Sequence, residues 1–246
     1  MVYTRFQRSF NVFLHLLYQY YIELRDSIFQ YSPEIKLNEI IYYDFETTGL
    51  NPYHNKIIEY AFLEHDSNYY ITELVNPECK FEKKITDITG IHPDDLEDET
   101  PIEAHITNII NFITPEDRPI GFQTYLIAHN NDGFDKIFLN ETINRINQNP
   151  SSKFPLPRLK IDCQHIDTLL LAKKLLPELN SHSLKNLAIH FKIKAGTHRA
   201  LDDTKCLREV YIKLLEVLST KDRTYGNSMT LIENPDIVYD YLYKFK

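Results

Sequence analysis

Ile40-Ile41-Tyr42-Tyr43-Asp44-Phe45-Glu46-Thr47-Thr48-Gly49-Leu50 is a run of β-formers that carries two carboxylates at i and i+2 and then breaks at a glycine. In an extended strand, side chains two apart share a face, so Asp44 and Glu46 project together while Phe45 turns away. Ile41 and Tyr43 are apolar, which puts the pair at the end of a buried strand. Two like charges there repel and are costly to desolvate unless cations compensate. Paired carboxylates suit Mg²⁺ or Mn²⁺. On an exposed strand the same Asp-x-Glu would mean only a solvated face, so the rest of the chain has to supply partners.

At 246 residues and 43% hydrophobic, the chain can bury one full core, which predicts one main domain with extensions. Cys79, Cys163 and Cys206 are widely spaced and form no C-x-x-C pair, so neither a disulfide framework nor a zinc site is indicated. The expected setting is the cytoplasm or another reducing intracellular compartment. A net charge of −8 argues against broad, non-specific coating of nucleic acid. It still allows an enzyme that grips a few nucleotides at a chain end, where bound metals supply the positive charge.

Ahead of the motif, Phe6, Phe10, Phe13, Leu14, Leu17, Tyr21, Leu24 and Ile28 recur at three- and four-residue steps. They predict an amphipathic N-terminal helix that packs on its own domain, on a second copy or on a protein partner through residues 6–28. Arg5 and Arg8 precede the first acid, Glu23, so mitochondrial targeting is the lesser reading of the same segment. The apolar run Phe10–Tyr18 is interrupted by Asn11 and His15 and is too short to span a bilayer; no membrane association is expected. Beyond Ser32-Pro33, strands are predicted from near Glu39, over Ile57–Leu63 and over Tyr69–Val75, joined as an antiparallel meander. Thr100-Pro101 opens a helix over Ile102–Phe112. A strand at Tyr125–His129 leads into a helix over Phe134–Ile146, and Asn149–Pro157 reads as a loop. A fifth strand is predicted at Leu159–Cys163. Helices follow over Asp167–Leu176, Ser183–Phe191 and Ala200–Leu218, then a polar link and a Tyr-rich helix. The expected organisation is a helical extension (1–37), a catalytic domain (38–219) and a helical tail (220–246), with a mixed sheet covered by helices.

Two later segments supply partners for Asp44 and Glu46. Asp135 falls in the first turn of a helix just beyond a strand end, where open α/β folds place ligands, although helix capping alone would also explain it. His198 lies on a Gly-containing loop, and Asp203 sits in the first turn of the following helix. A mobile histidine near a carboxylate fits a general base beside a metal ligand; alone, it would read as a surface histidine before an Asp-capped helix.

In this order, Asp44-x-Glu46 with Thr48-Gly49, His129-Asn130 followed by Phe134-Asp135, and His198-x-Ala200-x-x-Asp203 resemble the three motifs of the DEDDh (DnaQ-like) 3′→5′ exonucleases. Ile88-Thr89-Gly90-Ile91, Ile166-Asp167-Thr168-Leu169 and Ser183-Leu184-x-x-Leu187 are similar to lesser signatures of that family, and the resemblance runs from Ile40 to Leu218. It implies an α/β, RNase H-like fold: a five-stranded mixed sheet, antiparallel meander then parallel strands, flanked by helices. It implies two Mg²⁺ (or Mn²⁺) on Asp44, Glu46, Asp135 and Asp203, with His198 and Glu46 as catalytic residues. Thr47 and Thr48 would meet the terminal 3′-hydroxyl, and Leu50 and Ile91 would wedge against the terminal bases. Phe134 would stack near the backbone or serve as a core residue, and Asn130 would brace its loop rather than touch substrate. The implied activity is hydrolysis at the 3′ end of single-stranded DNA, favoured over RNA, releasing nucleoside 5′-monophosphates in proofreading, repair or degradation. The three residues Asn131-Asp132-Gly133, where many members have two, look like the three-prime repair (TREX-type) branch. The first and third motifs look more like bacterial proofreading exonucleases. The competing readings are an RNA 3′-end-trimming exoribonuclease or oligoribonuclease-like enzyme, and a non-catalytic nucleic-acid-binding module.

Overall fold

The computed structural model describes residues 38–116, 118, 121–149 and 158–244; the helix expected over residues 6–28 lies outside the described residues. Three strands come first: β1 (Asn38–Thr47), β2 (Ile57–Glu64) and β3 (Tyr70–Leu74). They pair antiparallel in sequence, with a bulge in β1 between Glu46 and Thr47. Helices α1 (Lys83–Thr89) and α2 (Ile102–Ile113) follow, and β4 (Gln123–Ala128) then returns parallel to β1. α1 stops where Gly90 adopts φ 72° and its N–H bonds back to the Thr86 carbonyl, a left-handed cap that glycine takes without steric cost. β5 (Gln164–Asp167) adds beyond β4, also parallel, so the sheet order is β3-β2-β1-β4-β5. The remaining helices are α3 (Asp135–Gln148), α4 (Thr168–Leu175), α5 (Leu184–Phe191), α6 (Ala200–Lys221), α7 (Ser228–Glu233) and α8 (Pro235–Tyr243). Among the described residues, no helix is long and apolar enough to cross a membrane.

The sheet is the five-stranded mixed sheet expected, and the period of two in β1 assigns its faces. Ile40 and Tyr42 join Tyr125, Ile127 and Ile166 against α4, α5 and the long α6. Ile41, Tyr43 and Phe45 join Leu126 and Ala128 against α2 and α3. With both faces covered, β2 reads as an unbroken buried run, as such a strand must. Asp44 and Glu46 continue the α6 side of β1. α6 presents Leu207, Val210, Tyr211, Leu214, Leu215 and Leu218 to that core at helical spacing. The C-terminal residues close onto the same cluster: Leu231, Val238 and Leu242 are buried in it. Lys174 Nζ donates to the Tyr241 and Leu242 carbonyls, and the Tyr243 hydroxyl donates to Asp132.

The fifth strand lies later than the sequence pattern predicts. Leu159–Cys163 forms no ladder, and the strand is Gln164–Asp167, registered on Tyr125–Ala128. The alternation of Leu159, Ile161 and Cys163 does mark a side that packs on the α3 cluster. Its first residue, however, is pinned by a side chain: Asn147 donates to the Leu159 carbonyl and accepts from the Leu159 N–H.

Behind the β4–α3 connection, Asn131 is fully buried in a 3₁₀ turn (Asn131–Gly133). Its amide donates to the carbonyls of Leu126 (3.3 Å) and Ile166 (3.1 Å) and accepts from the Tyr43 hydroxyl at 2.5 Å, tying three parallel strands together. Each buried group left without a partner costs about 1–3 kcal/mol. Asn131→Ala is therefore expected to lower unfolding free energy by about 2–4 kcal/mol, read as a lower urea midpoint at unchanged slope. A shift below about 0.5 kcal/mol would rule out this bracing role.

Candidate active site

The C-terminal end of β1 carries the site. Asp44 and Glu46 come from the strand and Asp203 from the first turn of α6; one oxygen of each lies within 4.8 Å of the others. Asp135 is the first residue of α3 and only 2% exposed. Its carboxylate accepts the Phe45 backbone N–H and feels the charge of Asp44. Its Oδ1 is buried with no hydrogen-bond partner. A buried carboxylate oxygen without a donor is costly, and a cation is the group that would satisfy it.

The electrostatics point the same way. Burial, then the charges of Asp203 and Glu59, pushes Asp44 well above the usual carboxylate range. Glu46 is pushed up to about 9 by burial and then by Asp44, Asp203 and Glu59, with Arg199 opposing. Asp135 is raised by burial and then by Asp44, against the pull of backbone N–H groups. Asp203 is raised by burial, and the charge and backbone N–H of His198 oppose the rise. Such groups titrate as a set, and they ionise together only when positive charge is added.

The third motif sorts its own residues. Thr197 Oγ1 donates to Asp202 at 2.8 Å, which holds Asp202 on the exposed side, while Asp203 turns into the cluster. Gly196 packs so closely that a methyl group there would overlap Asp203 Oδ1. His198 is exposed, has φ 57°, and donates its backbone N–H to Asp203.

The other residues singled out in the sequence are placed unevenly. Thr47 and Thr48 are buried: Thr47 Oγ1 donates to the Gly49 carbonyl, and Thr48 Oγ1 accepts the Lys56 N–H. They brace the turn that carries Leu50, which is 82% exposed. Ile91 does not fit the wedge expected of it: it is 2% exposed and packs with Ile58 and Leu96, whereas Ile88 on the same segment is exposed. Phe134 is half-buried, its ring 4.7 Å from that of Phe138. Asn130 is exposed with φ 65°, and its N–H donates to Asp167; the bracing below it is done by Asn131. Asp167 gathers N–H donors from Asn130, Asp132 and Leu169. His129 is tied to Thr168 Oγ1, and burial lowers its imidazole to about 4, leaving it a neutral packing group.

Sequence reasoning missed Gly196, Asn131, Glu59 and Arg199. Glu59 offered a signal: a lone carboxylate inside the apolar run Ile57–Leu63 has to be paired.

The exonuclease family model (RNase T type) matches residues 41–211. The PolC-type DNA polymerase III of Thermotoga maritima is 32% identical over 181 residues, covering 71% of this chain and 12% of the polymerase. That of Bacillus subtilis is 28% identical over 193 residues, covering 77% of this chain and 12% of the polymerase. The chain thus spans about an eighth of the length of these curated relatives. Among solved structures, E. coli exonuclease I in complex with a dA16 oligonucleotide superimposes with a TM-score of 0.60 at 19% identity, over 82% of this chain and 43% of that one. Exonuclease I from Methylocaldum szegediense gives 0.56 at 23% identity, over 74% and 41%. At these identities the likeness is one of fold. These relatives lend no support to the three-prime repair branch suggested by Asn131-Asp132-Gly133, which here builds the 3₁₀ turn around Asn131. The matched span contains Asp44, Glu46, Asp135, His198 and Asp203, and the chain belongs to the exonuclease family.

Proposed function

We propose that residues 38–219, with the tail of residues 220–246 packed on them, form a 3′→5′ exonuclease that hydrolyses the terminal phosphodiester bond of single-stranded DNA and releases nucleoside 5′-monophosphates. The observation that carries this reading is the convergence of Asp44, Glu46 and Asp203 within 4.8 Å. The unsatisfied Asp135 Oδ1 supports it, because a divalent cation would satisfy it. Asp44, Glu46, Asp135 and Asp203 would hold two Mg²⁺ or Mn²⁺ ions. When bound, such ions supply charge neutralisation at the scissile phosphate and lower the cost of a nucleophilic water. The chain's own residues do the rest. His198, exposed beside Asp203, takes the proton of the attacking water, a step worth about 10²–10⁴-fold. The turn braced by Thr47 and Thr48 presents Leu50 as an apolar edge for the last base. DNA is favoured over RNA because the similar polymerases act on DNA and exonuclease I has been crystallised with it.

The direct test incubates end-labelled single strands of matched DNA and RNA sequence with Mg²⁺, Mn²⁺ or EDTA. Metal-dependent shortening from the 3′ end, faster on DNA, is expected. Asp44→Ala and Asp203→Ala should abolish it while remaining folded, and His198→Ala should slow it by about 10²–10⁴-fold. A folded, active Asp44→Ala protein would sink the metal assignment.

Gly196→Ala provides a subtler probe. Its methyl group displaces the Asp203 carboxylate, so metal-dependent turnover should fall by about 10-fold or more at nearly unchanged melting temperature. Wild-type turnover would show that the close approach is not needed.

The raised carboxylates also set a pH dependence. A carboxyl whose folded pKa lies above its unfolded value binds more protons when folded, so its stabilising contribution is present at low pH and is lost as pH rises. For Glu46 the window runs from about 4.5 to about 9, and Asp44, Asp135 and Asp203 act in the same direction. In EDTA the melting temperature should fall from pH 5.5 to pH 8.5, and saturating Mg²⁺ should flatten the fall. A melting temperature in EDTA that rises over this range would contradict the electrostatic account.

A further inference from the structure

We infer that Glu59 is a positioning residue for the reaction proposed above: its buried carboxylate fixes the start of α6 and so sets where His198 and Asp203 stand. Glu59 lies mid-strand in β2, directly across from Glu46, and is 5% exposed. An ionised group at that depth persists only when paired and fully hydrogen-bonded. Both of its oxygens are engaged from one short segment. Arg199 Nε donates to Oε1 and Oε2 at 3.1 Å, Arg199 Nη2 donates to Oε1 at 2.7 Å, and the Ala200 N–H donates to Oε2 at 2.9 Å.

The contact to Ala200 matters because of where it falls. The first N–H groups of a helix lack intrahelical partners and are ordinarily met by the N-cap side chain. At α6 the N-cap is Arg199, whose side chain makes no capping bond. Glu59 provides the cap from the neighbouring strand, with a negative charge at the positive end of the helix. The residues this clamp holds lie beside the chemistry. His198 precedes it at φ 57°, a conformation that costs a residue with a Cβ and persists only when its surroundings impose it. Asp203 follows one turn later, its N–H bonded to the Arg199 carbonyl.

The clamp is not what docks the helix. Ala200 is buried in the first turn of α6, but most of its buried apolar face, Cys206 through Leu218, lies beyond that turn. Loosening Glu59 therefore leaves the helix seated and frees its first turn together with the loop that carries His198. A displacement of about 1 Å in a reacting group can cost about 10²-fold, and removing a partner of a metal ligand about 10–100-fold.

The test uses the full chain and compares wild type with Glu59→Gln, Arg199→Ala, Arg199→Lys and the Glu59→Gln/Arg199→Ala double variant. It measures kcat and KM on an end-labelled single-stranded oligonucleotide, Mn²⁺ binding by calorimetry, and melting temperature in EDTA. Glu59→Gln should lower kcat and Mn²⁺ affinity, each by about 10–100-fold, with KM within about twofold. Arg199→Lys should recover part of the loss, and the double variant should cost no more than the worse single one, because the pair acts as a unit. Arg199→Ala removes the exposed half of the pair and decides the matter should Glu59→Gln fail to fold. Variants that melt earlier but keep wild-type kcat and Mn²⁺ affinity would overturn the inference, leaving the pair as a stabilising contact. The turnover arm rests on the exonuclease reading, and a wild-type protein that does not shorten the oligonucleotide would overturn that reading instead. Mn²⁺ binding would still decide whether Glu59 places Asp203.

Discussion

Mutual repulsion among four carboxylates is the constraint that the rest of the domain answers to. Asp44, Glu46, Asp135 and Asp203 are brought together from a strand and two helix starts, and burial raises every one of them. Such a cluster destabilises the folded state whenever its members ionise without a cation. The fold therefore has to hold it in place by other means. It does so with a sheet covered on both faces and with α6, whose long apolar stripe seats the helix well away from its charged first turn.

The buried polar groups around the cluster show how the frame differs from the site. Asn131 uses both ends of its amide, Asp167 gathers several backbone N–H groups, and Glu59 engages both oxygens. Saturated groups of this kind make a local structure rigid and specific. Asp135 breaks the pattern with a buried oxygen that has no donor. Saturation marks what holds the site, and the unmet demand among its carboxylates marks where a ligand would fit.

The sequence made the chemistry more legible than its supports. Asp44 and Glu46 could be placed by the period of a strand, and Asp135 and Asp203 by their position in a helix's first turn, because both rules are local. The meander followed from strand patterning, and the parallel strands after it from the family resemblance. What escaped depended on partners far along the chain. Glu59 meets Arg199 across 140 positions, and Asn131 meets Tyr43 across 88. β5 was drawn too early because the alternation of Leu159, Ile161 and Cys163 is genuine, but Asn147, rather than a neighbouring strand, takes the backbone of Leu159. Ile91 was assigned to substrate for its place in a motif, whereas the turn of α1 into Gly90 swings it into the core and leaves Ile88 outside.

On the proposed exonuclease reading, a net charge of −8 has to be reconciled with a polyanionic substrate. Broad attraction to a nucleic acid needs a basic surface, which grips many phosphates at once and has no preference for an end. On that reading the attraction would be concentrated where the carboxylates converge and supplied by the cations they would hold. It reaches over a few ångströms and is screened beyond about 8–10 Å in physiological salt. A nucleic-acid chain would meet such a spot at one phosphate, and both Leu50 and His198 are exposed to solvent. Acidity of the chain as a whole would then disfavour broad coating of a nucleic acid, because it repels the body of the strand.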